Sequence, residues 1–152
     1  RVAKDCDTTY SEANCDVIVE KYNAWILGGL VTNCFRPIDE NFQFKFVAKS
    51  NEKITLMWQI ECDSLVEGKE GRLFYSRVIV VDEDDTVIFS SGIHQKTFQH
   101  KFFVNAATIV PQDKLQAGHA YRVQIVAFIP KADEYLAMSV SYMQLIVHRN
   151  RE

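Results

Sequence analysis

Three groups of side chains could do chemistry. Asp82-Glu83-Asp84-Asp85 is the densest carboxylate run in the chain. Carboxylate oxygens suit hard cations such as calcium. Four consecutive acids cannot all face one ion, and the run separates two strand patterns, so an acidic hairpin turn is expected. His94 and His100 are six positions apart around a strand pattern, which places both on one face of a regular strand. Two imidazoles make half a metal site or a pH-responsive patch. No third ligand is near in sequence, so solvent-facing histidines are expected. Ser90-Ser91-Gly92 precedes His94 without the G-x-S-x-G context of a hydrolase nucleophile. No Gly-rich phosphate cradle exists either. The expectation is a protein that is not an enzyme and uses no cofactor.

Cysteines bear on the compartment. Cys6, Cys15, Cys34 and Cys62 all fall in the first 62 residues. An even count confined to one region predicts two disulfides stapling the N-terminal segment to the body, with all three pairings open. There is no CxxC, and the four histidines lack finger-like spacing, which argues against zinc. Disulfides would place the protein in an extracellular, lumenal or periplasmic compartment. No N-x-S/T sequon adds support. The chain starts at Arg1, as a processed chain or a fragment would.

Aromatic residues supply the candidate binding surface. Most of the ten Phe, six Tyr and two Trp fall on alternating faces and read as core. Phe98, Phe102 and Phe103 differ, because they sit among His94, Gln95, Gln99 and His100. Adjacent Phe102 and Phe103 must point to opposite faces of a strand, so one ring is exposed unless something covers it. The candidate contact region is Phe102 or Phe103 with His94 and His100, plus the loop around Asp84.

These residues must be positioned by the surrounding elements. The chain has 152 residues, 47% hydrophobic and 24% charged, an ordinary globular composition. Seventeen basic against 20 acidic residues give a net charge of -3, which argues against a dedicated nucleic-acid binder. Thr9 and Glu12 have capping-box spacing, and Gly28-Gly29 is a plausible helix stop. Ile18, Tyr22, Trp25 and Ile26 could line one helix face, so a helix is expected from roughly Tyr10 to Leu27. The β-branched run Val17-Ile18-Val19 would suit a strand equally well.

From Phe42 onward the period is two. The runs are Phe42 to Phe46, Ile54 to Ile60, Phe74 to Val81, Thr86 to Ser90, Lys96 to Asn105, Tyr121 to Ile129 and Met138 to Ile146. Seven such strands without room for crossover helices predict an all-β antiparallel sandwich over residues 42–152. Residues 1–41 form a cysteine-bearing extension that packs on it. Val78-Ile79-Val80-Val81 is apolar on both faces, and the last strand repeats this. Such strands need cover on both sides, or one side associates with another molecule.

Two local patterns resemble the fibronectin type III family within the wider immunoglobulin-like group. Ile54-Thr55-Leu56-Met57-Trp58 is similar to the family's second strand with its core Trp. The stretch from Leu115 through Tyr121-Arg122-Val123-Gln124-Ile125-Val126-Ala127 resembles its Leu-x-Pro-x-x-x-Tyr-x-Val-x-Val-x-Ala passage, with Ala117 where the family has Pro. The resemblance covers about residues 42–148. It implies a seven-stranded sandwich, an expanded middle hairpin, and a corner in which the Tyr121 hydroxyl bonds back to the backbone. It also implies a binding role.

The function expected first is an extracytoplasmic recognition or adhesion module that binds a protein partner non-covalently. The alternatives are a structural subunit that packs with itself or its neighbours, and a carrier of a small hydrophobic ligand.

Overall fold

The computed structural model describes residues 8–13, 16–27, 34–64, 73–97, 100–130 and 137–151. Eleven strands run through them: β1 (Thr8–Ala13), β2 (Asp16–Leu27), β3 (Arg36–Pro37), β4 (Gln43–Val47), β5 (Glu52–Ser64), β6 (Leu73–Val81), β7 (Val87–Ser90), β8 (His94–Thr97), β9 (Lys101–Val110), β10 (Ala120–Phe128) and β11 (Ala137–Arg151). A single 3-10 turn, Gln112–Lys114, lies between β9 and β10.

Period-two patterning explains which side chains are inside. Ile54, Leu56, Trp58, Ile60 and Cys62 on β5 are buried, as are Phe74, Val78 and Val80 on β6. Each fully buried Leu, Ile or Phe contributes roughly 1.5–3 kcal/mol of transfer free energy. The inner faces meet in one core. Phe74 of β6 meets Phe102 of β9 edge-on, with ring centroids 5.6 Å apart.

All pairs are antiparallel. One sheet has the order β1-β2-β11-β5-β9. In the other, β10 and β6 form the centre, β3 and β4 share the far side of β10, and β7 and β8 share the far side of β6. The pairing is nested: β2 with β11, β4 with β10, β5 with β9, and β6 with β7 and β8. A single long hairpin bent into two sheets produces this order, which is a jelly roll. The expected antiparallel sandwich is present. Its strand order is not the immunoglobulin arrangement, in which four strands of one sheet face three of the other.

The expected helix over residues 10–27 is replaced by strands. β2 pairs with β11 from Leu27↔Ala137 to Asp16↔His148, and with β1 on its other edge. Val17-Ile18-Val19 loses side-chain freedom in a helix and packs well on a pleated sheet. Long-range pairing therefore prevails over the capping-box spacing. Val17 and Val19 enter the core, and Ile18, Glu20 and Tyr22 take the opposite parity. The strand expected over Lys96 to Asn105 divides into β8 and β9, which belong to different sheets. Phe98 lies outside the described residues.

Two polar devices fix the end of the sandwich that carries the β4–β5 turn. Arg149 Nε reaches Glu52 Oε2 at 2.5 Å, and its guanidinium donates to the Val47 carbonyl at 2.8 Å. This ties β11 and β5 to β4. Burial alone would raise the Glu52 pKa, but the Arg149 bond, the Lys49 N–H and their charges outweigh it, and the net shift is downward. Nearby, the Gln116 N–H donates to the Tyr121 hydroxyl at 2.8 Å. That is the tyrosine corner implied by the resemblance, here on a jelly roll.

Candidate interaction surface

Four neighbouring strands, β2, β11, β5 and β9, present alternate side chains on the outer face of the five-stranded sheet. Their registers align these residues in rows across the strands. Tyr22, Tyr142, Glu61 and Phe103 form one row, followed by Glu20, Gln144, Gln59 and Asn105. The middle row is Ile18, Ile146, Met57 and Ala107. Beyond it come His148, Thr55 and Ile109, and then Asn150 and Lys53. Tyr22 is 49% exposed, Met57 39%, Phe103 44% and Ile109 53%. The apolar middle row thus lies between two mixed or polar rows, and the face ends in an aromatic and acidic row on one side and in Asn150 and Lys53 on the other.

A bulge shapes one end of the face. The β11–β5 register shifts between Val140 and Tyr142. Val140 therefore faces inward, while Tyr142 lies on the outer face beside Tyr22, with ring centroids 4.9 Å apart. Strict alternation would have put Val140 and Tyr142 on one side. Ser141 at the bulge donates to the Glu61 carbonyl at 3.2 Å. Tyr22, Glu61, Ser141 and Tyr142 line a shallow depression of about 390 Å³. The Tyr142 hydroxyl donates to Glu20 Oε2 at 2.6 Å. Burial and then this bond push its pKa up.

The outer face of the six-stranded sheet differs. Val126 and Gln124 lie buried there. Phe35, from the segment before β3, meets Phe128 edge-on at 4.7 Å, and Tyr75 stacks on Phe128 at 4.9 Å. The Arg77 guanidinium sits 4.3 Å above the Phe35 ring. This aromatic ladder covers the middle of the face around Val126, while Val47 on β4 and Val87 on β7 stay 54% and 49% exposed on the edge strands.

The candidate residues from the sequence do not converge. Phe103 lies on the open face, but Phe102 is only 4% exposed and faces Phe74 in the core. Phe102 is therefore a packing residue. His94 is half-buried on β8, with its ring edge-on to Trp58 at 5.3 Å. His100 is exposed just before β9. Asp84 is exposed in the β6–β7 turn, where Asp82 Oδ1 accepts the N–H groups of Asp84 and Thr86. β6 runs the length of the sandwich between the two ends, roughly 30 Å at about 3.3 Å per residue. Asp84 and His100 therefore stand at opposite ends.

Among the described residues no two cysteines stand at disulfide distance. Cys62 is a buried thiol on β5; burial, then Asp63 and Glu61, push its pKa up. The two-disulfide expectation is therefore not met at Cys62, whose strand alternation turns it into the core. Cys34 is exposed, and Cys6 and Cys15 lie outside the described residues. Among the described residues no three His, Cys, Asp or Glu side chains group as metal ligands.

The open face was only partly legible in the sequence. Tyr22 was hidden by the helix expectation, while Tyr142 was legible as lying opposite Met143, Leu145 and Val147 but not as part of the contact region. Met57 and Ile109 carried a usable signal, being large apolar residues at outward positions of alternating strands.

No family model matches the chain, and no curated protein matches it by sequence. Solved structures do match in fold. The crystal structure of the T13 infectious bursal disease virus particle matches with a TM-score of 0.58 at 9% identity, over 97% of this chain and 35% of that one. The subviral particle of that virus's VP2 protein matches with a TM-score of 0.56 at 10% identity, over 87% of this chain and 32% of that one. The structure of its Gt strain matches with a TM-score of 0.55 at 9% identity, over 88% and 32%. This chain thus spans about a third of the length of the chains it resembles, and what it shares with them is the β-sandwich fold.

Proposed function

We propose that this chain is a structural subunit that assembles with copies of itself through the outer face of the five-stranded sheet, with no covalent step. The observation that carries this is the contrast between the two outer faces. One has its middle closed by the chain's own aromatic ladder and only the edge residues Val47 and Val87 exposed, and the other presents Met57, Ile109, Phe103 and Tyr22 to solvent across its strands. Exposed apolar and aromatic residues interleaved with polar ones on one sheet face are the make-up of an interaction surface. The solved chains of similar fold come from viral and subviral particles, which is consistent with an assembly role. The adhesion module expected from the sequence would use the same face with a different protein as its occupant.

Sedimentation velocity over a concentration series tests the reading. The expected result is reversible association of the native chain, abolished in a Met57→Ser, Ile109→Ser variant that keeps the native melting temperature. A native chain that stays monomeric into the millimolar range would overturn it.

A further inference from the structure

Along β5 the open face is complementary in charge about Met57. Lys53 and Glu61 stand four residues to either side of it on β5, both with outward parity. Lys53 is exposed, and neither it nor Glu61 makes an ion pair with a described residue. The acidic and aromatic end holds Glu61, Glu20, Tyr22 and Tyr142, and the other end holds Lys53. The row of Ile18, Ile146 and Met57 lies halfway between them.

We propose that a second copy packs on this face about a two-fold axis through Met57, perpendicular to the strands. Lys53 of each copy then enters the depression beside Glu61 of the other. The proposal rests on the assembly reading above and adds the symmetry and the pairing. A two-fold axis lying in the interface reverses the strand direction while keeping each strand opposite itself, so the two contacts are identical. Met57 meets Met57 and Ile146 meets Ile146 in the dry centre. The Lys53 ammonium gains a carboxylate and two tyrosine rings, which attract a cation through their faces. A two-fold axis running along β5 would instead set Glu61 against Glu61.

The size of the face is adequate. Four strands about 4.8 Å apart and five rows about 6.8 Å apart cover roughly 650 Å² per copy. Doubled, that exceeds the roughly 1,000 Å² that separates specific interfaces from incidental ones.

A charge swap tests the pairing. The full chain is compared with Lys53→Glu, with Glu61→Lys and with both together, by sedimentation for the dimer constant and by thermal melting for the fold. Both sites are on the surface, so melting temperatures should be unchanged. Each single change sets like charges together at both contacts, and about tenfold or more weaker association is expected. The double variant restores opposite charges in reversed order, and its dimer constant should return to within about threefold of native. Native association that is indifferent to the single changes overturns the two-fold pairing and leaves the assembly reading standing. Folded singles that weaken without rescue by the double variant also overturn it. Absence of association in the native chain overturns both readings.

Discussion

The two outer faces of this sandwich start from similar sequence and end differently. β6 and β11 both carry apolar residues on both sides, Val78 to Val81 in one and Met143 to Val147 in the other. Outside β6 the chain returns through Phe35, and the ladder of Phe35, Phe128, Tyr75 and Arg77 closes over buried Val126. Outside β11 and β5 the residues stay open, with Met57 and Ile109 substantially exposed. A strand that is apolar on both sides therefore predicts a demand for cover. It does not say whether the cover comes from the same molecule.

Substitutions on each face should separate covered from open. Phe102→Ala should cost most, about 3–4 kcal/mol, because it empties a ring site in the core next to Phe74. Denaturant unfolding would measure this, and a loss under 1 kcal/mol would return Phe102 to the surface. Arg149→Met comes next, at about 2–3 kcal/mol, because Glu52 keeps a buried charge without its guanidinium partner.

The same pair gives the sign of the acid dependence. The Glu52 pKa is lowered on folding, so its contribution is complete above the ordinary value of 4.5 and is lost as pH falls through the lowered folded value. Thermal melts of the native chain should weaken more steeply in that window than melts of Arg149→Met. Parallel curves would show that the clasp does not control acid stability.

Phe128→Ala should cost about 2 kcal/mol, since that ring contacts both Phe35 and Tyr75 on the covered face. Phe103→Ala on the open face should change stability by less than about 0.5 kcal/mol while weakening association. Equal losses of stability at Phe128 and Phe103 would erase the distinction between the faces.

Particular elements show what could be read in advance. The alternations of Ile54 to Ile60, Phe74 to Val80 and Tyr121 to Ile129 assigned the inner residues correctly. The corner at Tyr121 was also legible, because its bond spans five residues. It did not identify the strand order, since a corner of this kind needs only a strand entering the core at the right angle. Residues 16–27 were misread as helix because their partner strand, β11, begins at Ala137. The bulge at Val140/Tyr142 was invisible because it offsets one strand against another. Of the candidate surface, Phe103 was found. Tyr22 was missed because of the helix expectation, Tyr142 was given the right face opposite Met143 but not joined to the contact region, and Phe102 was separated from its neighbour only by knowing which side is the core.

By itself the sequence determined an antiparallel β body from Phe42 onward, the parity of most of its strands and the acidic β6–β7 turn. These depend on residues within a few positions of one another, where pleating and turn geometry act directly. Only the tertiary structure decided the nested strand order, the strand state of residues 16–27 and which outer face stays open. Those depend on pairing between residues far apart in the chain, more than a hundred positions in the case of Ile18 with Ile146. That pairing leaves only a weak periodic trace in either strand alone.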